Sequence, residues 1–388
     1  MTDPRVAGVG LTPFGELSER TGRDLFAEAG LAALDDAGVD PDDVEALYYG
    51  NFMGELAEHQ GHQAPLMAEA VGLDVPATRY EAACASSGAA VREAVKTLRN
   101  GESDVALVGG TERMTNIGTA AATDALAIAA DDLYEVRAGM TFPGAYALMA
   151  RAYFREFGGT REDLAHIAVK NHEHALPNEY AQLRTEITVE DALDAPMVAD
   201  PLGLYDSCPI TDGASAAVLV SEEYARHHDL TAPVAVTGTG QGGDNLALHD
   251  RAHYARTPAA TEAAEEAYAD AGVEPGNVDL AEMHDCFTIA EVLALESLGL
   301  YEHGEAITAA RDGETHATGA LPVNLSGGLK AKGHPVGATG VAQVISIAKL
   351  LEGEGSWADE VGDADTGIAH NAGGTVASTT VHVLEVVE

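Results

Sequence analysis

With 388 residues the chain is long enough for two core domains and a sizeable buried interior. Asp and Glu number 63 against 21 Lys and Arg, a net charge of −42 with only five lysines, which excludes nucleic acid and anionic membranes as main partners. The acids are dispersed rather than gathered into a tail, so they read as a solvated shell suited to high salt. Three widely spaced cysteines, Cys84, Cys208 and Cys286, exclude a disulfide framework or a CxxC metal site. The start Met1-Thr2-Asp3-Pro4-Arg5-Val6 carries no secretory pattern and no window resembles a membrane span, so a cytoplasmic protein of a high-salt organism is expected.

Val6 to Leu11 reads as the opening strand, and a repeat follows from there. Asp36-Ala37-Gly38-Val39 returns as Asp270-Ala271-Gly272-Val273, in each case a helix ended by a glycine cap before a turn and a strand. The helix from Gly88 to Gly101 matches Gly340 to Gly353, and the strand ending Gly109-Gly110-Thr111 matches Gly373-Gly374-Thr375. A duplicated domain is implied, with halves of alternating strand and helix and parallel sheets covered by helices. Residues 1–113 with 197–231 form the expected N-terminal half, 114–196 an inserted loop domain, and 232–388 the C-terminal half.

The lone Cys84 sits on the small-residue turn Ala82-Ala83-Cys84-Ala85-Ser86 ahead of the first repeated helix, where free N–H groups and the helix dipole favour thiolate. A buried structural cysteine is the competing reading. His334 lies just before the matching helix of the second half, so two-fold symmetry of the halves faces it toward Cys84. Glu282-Met283-His284-Asp285-Cys286-Phe287 and Ile368-Ala369-His370-Asn371 add further candidates. Cys208, in Ser207-Cys208-Pro209, reads as a packing residue. His172 and His174 diverge on a helix and so make a poor metal pair.

The Cys84 stretch, Val169-Lys170-Asn171-His172, Asp206-Ser207-Cys208-Pro209, His284-Asp285-Cys286-Phe287 and Ser326-Gly327-Gly328-Leu329-Lys330-Ala331-Lys332-Gly333-His334-Pro335 together resemble the thiolase superfamily, in its sterol-carrier-protein-type and archaeal acetyl-CoA acetyltransferase branch. The resemblance spans nearly the whole chain. It implies an α/β thiolase fold, with duplicated βαβαβ halves in an α-β-α-β-α layering, and an acetyl-CoA C-acyltransferase acting on CoA thioesters with no permanently bound cofactor. It implies Cys84 as nucleophile, His334 as its activator, and His284 in place of the asparagine that completes an oxyanion hole in ordinary thiolases. Backbone N–H groups near Cys84 and Ala372 to Gly373 would form a second hole. The Cys-x-Gly motif of ordinary thiolases reads His370-Asn371-Ala372 here, which leaves Cys286, His370 or both acting together as the base that removes the α-proton, with Cys286 favoured by the sterol-carrier branch. Ser326, Gly327, Lys330 and Lys332 are the candidates for contact with CoA. A homodimer or homotetramer is implied, as are a zinc-ribbon/OB-fold partner, hydroxymethylglutaryl-CoA synthase as a second partner, and a place in the mevalonate route. The rivals are a ketoacyl synthase or hydroxymethylglutaryl-CoA synthase type of condensing enzyme, and a silent scaffold or lipid-transfer subunit.

Overall fold

A computed structural model describes residues 2–387. Its strands are β1 (Arg5–Leu11), β2 (Ala46–Gly50), β3 (Ala77–Tyr80), β4 (Val105–Glu112), β5 (Met197–Ala199), β6 (Leu202–Gly203), β7 (Gly213–Val220), β8 (Val234–Gly243), β9 (Leu280–Glu282), β10 (Thr366–Gly373) and β11 (Ser378–Val386). The α-helices of ten residues or more are α1 (Gly22–Ala37), α2 (Ser86–Arg99), α3 (Phe142–Phe157), α4 (Arg161–Ala175), α5 (Pro258–Ala271), α6 (Thr288–Ser297) and α7 (Thr339–Leu351).

One sheet of nine strands runs β3-β2-β4-β7-β1-β8-β11-β10-β9. Outward from the central contact, where Arg5 pairs with Ala235, the order β1-β7-β4-β2 on one side answers β8-β11-β10-β9 on the other. In both arms the first two pairings are antiparallel and the third is parallel. The repeat in the sequence is therefore an approximate two-fold axis in space. The expected parallel pairing is found only among the outer strands. The connection from β10 to β11 is a turn of four residues, too short for a parallel crossover, so β11 returns antiparallel; β7, which follows the inserted segment, runs antiparallel to both neighbours.

Strands β4, β7 and β10 are buried along their whole length, the mark of a sheet covered on both faces. Helices α2 and α7 lie side by side between the two arms, where Val91, Val95 and Leu98 share a core with Val341, Val344 and Ile345. Helix α1 covers β1 and β7 from outside, and α5 covers β8 and β11, which completes the five-layer order. The central helices touch at their first turns. A β-carbon on Gly340 would overlap the backbone nitrogen of Gly88, so only glycine admits this approach. Gly340→Ala is expected to cost about 1–3 kcal/mol by overpacking, read as a lower urea midpoint. An unchanged midpoint would remove this contact from the account.

The segment between β4 and β5 carries α3 and α4. Helix α4 begins at a capping box, with Thr160 N–H donating to Asp163 Oδ2 at 2.8 Å and Asp163 N–H to Thr160 Oγ1 at 3.4 Å. Its buried face carries the Lys170-Asn171-His172 motif into the C-terminal half. Lys170 Nζ pairs with Glu291 Oε1 at 2.9 Å and donates to Val323 O at 3.0 Å, while Asn171 Nδ2 reaches Asp285 Oδ2 at 2.7 Å and Glu291 Oε2 at 2.9 Å. No helix among the described residues is long and apolar enough to cross a membrane.

Candidate active site

The chain leaves β3 and turns sharply into α2. Ala83 takes a left-handed conformation (φ 50°), Ser86 Oγ accepts from Ala82 N–H at 3.0 Å, and its hydroxyl donates to Ala83 O at 2.5 Å. Cys84 is held at the apex. Its Sγ and ring nitrogens of His284 and His334 all lie within 4.8 Å of one another. Two histidines from the C-terminal half thus converge on a cysteine from the N-terminal half, as the repeat required. The expected thiolate is not the resting state. Cys84 keeps part of its surface open, yet burial pushes the thiol up to about 12. The N–H of Gly374 and that of Cys84 itself oppose the rise, and Glu112 adds to it. Desolvation outweighs the helix terminus.

Hydrogen bonds fix the proton on each imidazole. His334 Nδ1 lies 2.7 Å from Thr339 Oγ1, and the Thr339 hydroxyl proton goes to Pro335 O at 3.0 Å. Nδ1 of His334 therefore carries the hydrogen and Nε2 is a bare acceptor. In His284 the order is reversed. Asn371 Nδ2 donates to Nδ1 at 3.1 Å, which leaves a hydrogen on Nε2. His370 Nδ1 accepts from the His284 backbone N–H at 3.3 Å, so its Nε2 is also a donor. The Nε2 atoms of all three rings are buried without a protein partner, a costly arrangement unless a ligand completes it. The rings of His284 and His334 stand perpendicular, with centroids 4.9 Å apart. One ring thus has a free acceptor and the other a free donor at its Nε2.

Burial depresses all three histidines, His334 and His370 to about 3, and His284 well below the ordinary imidazole value with its two neighbours contributing. Cys84, His284 and His334 also have the spacing of a metal trio, with Nδ1 of His284 already held by Asn371. His370 is not part of that close trio; it braces the backbone of His284. Cys286 is buried, and burial pushes its thiol well above the ordinary range, with Cys208 and Cys84 adding and the Tyr146 hydroxyl opposing. Cys208 N–H donates to Cys286 O at 3.0 Å, so the Ser-Cys-Pro turn supports the loop that carries Cys286.

Lys330 and Lys332, the lysine candidates for contact with CoA, are both turned inward, 1% and 3% exposed. Lys330 Nζ lies 3.2 Å from His172 Nε2, and burial lowers its ammonium to about 8. Lys332 Nζ meets Ser346 Oγ at 3.3 Å and Glu282 Oε2 at 3.8 Å. Ser326 spends its hydroxyl on Glu282 Oε2 at 2.7 Å, and Gly327 is packed on Ala175. Ser326 and Lys332 do border an open cleft of about 360 Å³ with Asn178, Tyr180 and Ile345, but none of Cys84, His284 or His334 lines it. Asn371 and Gly374 belong to the stretch the sequence singled out, but their contacts with His284 and Cys84 cross between distant segments and leave no local motif.

The buried histidines also set a pH dependence of stability. Folded values near 3 to 4 for His334, His370, His172 and His382 lie below the unfolded 6.5, so between those limits the unfolded chain binds more protons. Their contribution is present above pH 6.5 and lost as pH falls. Glu112 and Asp285, raised to about 7 by burial, act in the opposite sense and lose theirs as pH rises through 7. The histidines outnumber them. The urea midpoint is expected to climb from pH 4 to about 6.5 and then level off; a midpoint flat over that range would contradict the buried neutral imidazoles.

The comparisons with known proteins give the family. The family model for the thiolase N-terminal domain matches residues 5–223, and that for the thiolase C-terminal domain-like region matches 240–386. The chain is 44% identical over 384 residues to an acetyl-CoA acetyltransferase of Methanothermobacter thermautotrophicus, covering 99% of each chain. It is 31% identical to sterol carrier protein 2 of Gallus gallus, over 95% of this chain and 69% of that one. A solved structure titled Ltp2-ChsH2(DUF35) aldolase superposes with a TM-score of 0.84 at 26% identity, covering 99% of this chain and 98% of that one. With both halves matched, the chain belongs to the thiolase family, in the company of archaeal acetyl-CoA acetyltransferases and sterol carrier protein 2, and is an acyltransferase that uses CoA thioesters.

Proposed function

We propose that the protein is an acetyl-CoA C-acetyltransferase that works by a ping-pong Claisen condensation and, in reverse, by thiolysis. The convergence of Cys84 Sγ with ring nitrogens of His334 and His284 carries this reading, with the Nε2 of His334 a bare acceptor and that of His284 a donor. His334 Nε2 takes the thiol proton as Sγ attacks the first thioester, and the N–H of Gly374 faces the developing oxyanion. The carbon–sulfur bond to CoA breaks, and Cys286 gives its proton to the leaving thiolate. Cys286, now a thiolate, removes the α-proton of the second acetyl-CoA, whose carbonyl oxygen accepts from His284 Nε2–H. The carbanion attacks the acetyl group, and Cys84 leaves and regains its proton from His334. Protons and charges then close on the starting state.

The finer organisation belongs to the same reading. Residues 1–113 with 197–231 and residues 232–388 act as the two catalytic halves, with 114–196 as the loop domain over the site, in a homo-oligomer. The name of the structural neighbour couples a thiolase-like chain to a DUF35 protein, which supports a zinc-ribbon/OB-fold partner for this chain. Hydroxymethylglutaryl-CoA synthase and the mevalonate route fit the acetoacetyl-CoA product, and the net charge of −42 fits a cytoplasm of high salt. Incubation with acetyl-CoA followed by peptide mass spectrometry tests the first step: an acetyl group on Cys84 supports the reading, and its absence from Cys84 overturns it.

A further inference from the structure

We propose that Cys84, His284 and His334 form a binding site for a borderline-soft divalent cation, zinc in the first place, and that this ion and the acyl group exclude one another. The Cys84 sulfur and one nitrogen of each ring lie within 4.8 Å of one another. A tetrahedral zinc ion, with sulfur at about 2.3 Å and nitrogens at about 2.0–2.1 Å, holds its ligand atoms roughly 3.3–3.6 Å apart, so side-chain movements of about an ångström bring all three onto one ion. The nitrogen free on each ring is Nε2. Nδ1 of His334 is engaged by Thr339 Oγ1 at 2.7 Å and Nδ1 of His284 by Asn371 Nδ2 at 3.1 Å, while both Nε2 atoms are buried without a protein partner. The two side chains that carry them are 1% and 5% exposed.

His334 is ready as it stands, with its hydrogen on Nδ1 and the lone pair of Nε2 unused. His284 binds after a change of tautomer. Its hydrogen moves from Nε2 to Nδ1, and the Asn371 amide turns to offer its oxygen, which is buried without a partner in the present arrangement. The Cys84 S–H bond breaks, a sulfur–zinc bond forms, and one proton leaves for solvent; no electron is transferred. Cys84 keeps part of its surface open, which gives the ion an entry and leaves its fourth position to water. A thiolate with two imidazoles selects zinc over magnesium or calcium, which take oxygen ligands. The bound ion occupies the sulfur and the His334 lone pair, and an acetyl group on Cys84 removes the sulfur ligand in turn. That exclusion rests on the reading of Cys84 as the nucleophile; the metal site does not.

The net charge of −42 gives divalent cations many weak places on the surface, so the test must read the sulfur itself. Cobalt(II), added in one equivalent to chelator-washed protein, is expected to give a thiolate-to-cobalt charge-transfer band, bleached by one equivalent of zinc and left standing by excess magnesium. The band should be absent from Cys84→Ala, and His284→Ala and His334→Ala should each weaken cobalt binding by more than about 100-fold. In the wild type, zinc is expected to slow alkylation of Cys84 by iodoacetamide at least about tenfold, read by peptide mass spectrometry, a measurement that depends on no variant. The absence of a band, a band that persists in Cys84→Ala, or alkylation of Cys84 unaffected by zinc overturns the proposal. Protein acetylated at Cys84 that still gives the band overturns the exclusion. Neither cobalt titration nor alkylation needs turnover, so a wild type that fails to acetylate Cys84 would sink the acyltransfer reading and still leave the metal site to be judged by its band.

Discussion

Cys84→Ala is expected to lower thiolysis of acetoacetyl-CoA by about 10⁴-fold or more, because the thiol beside His334 is gone and the covalent route is lost outright. The neighbours should fail differently. At rest Cys84 is a thiol pushed up to about 12 by burial, so its ionisation must be coupled to proton capture by His334 as the thioester arrives. His334→Ala is accordingly expected to slow acetylation of Cys84 by about 10²- to 10⁴-fold. Cys286→Ala should leave that acetylation detectable while removing carbon–carbon bond formation and α-proton exchange. Stopped-flow release of CoA and the condensation rate, measured side by side in high salt, separate these outcomes. Condensation surviving in Cys286→Ala would move the α-proton step to another group, and His370, with a donor Nε2 and a value held near 3, is a poor base for it.

The convergence of Cys84 and His334 was legible because it is carried by local patterns. Cys84 declares itself by the small residues around it, which make the turn into α2, and His334 by its place before the repeated helix; two-fold symmetry then brings them together. What the sequence hid was set by side chains meeting across the fold. Lys330 and Lys332 sit in a glycine-rich stretch that could equally face solvent, and only packing against His172 and Glu282 shows them buried. The thiolate expected at the helix start gave way to desolvation, which depends on what covers Cys84 and not on α2. The direction of β7 and β11 was likewise hidden, since strand periodicity is the same for both polarities. Asn371, which sets the tautomer of His284, looked like a neighbour of His370 and no more.

The position of the His284–Cys286 segment depends on a buried charge cluster, and breaking it is expected to give the largest loss of stability. Glu291 on α6 is fully buried and meets Lys170 Nζ at 2.9 Å, Asn171 Nδ2 at 2.9 Å and Asn324 Nδ2 at 2.7 Å. Asn324 Oδ1 in turn accepts from Met283 N–H at 2.7 Å, and Asn171 also holds Asp285. The residues flanking His284 on both sides therefore hang on groups that Glu291 organises. Glu291→Ala leaves the Lys170 ammonium buried with one carbonyl as partner, which costs about 3–5 kcal/mol, whereas a pair removed as a whole can be nearly neutral. Lys170→Met with Glu291→Leu should accordingly be more stable than Glu291→Ala alone. Urea unfolding of the three proteins at fixed salt checks the order. A single variant as stable as the parent would mean that the ammonium finds water, and that α4 is not clamped to the active site as described.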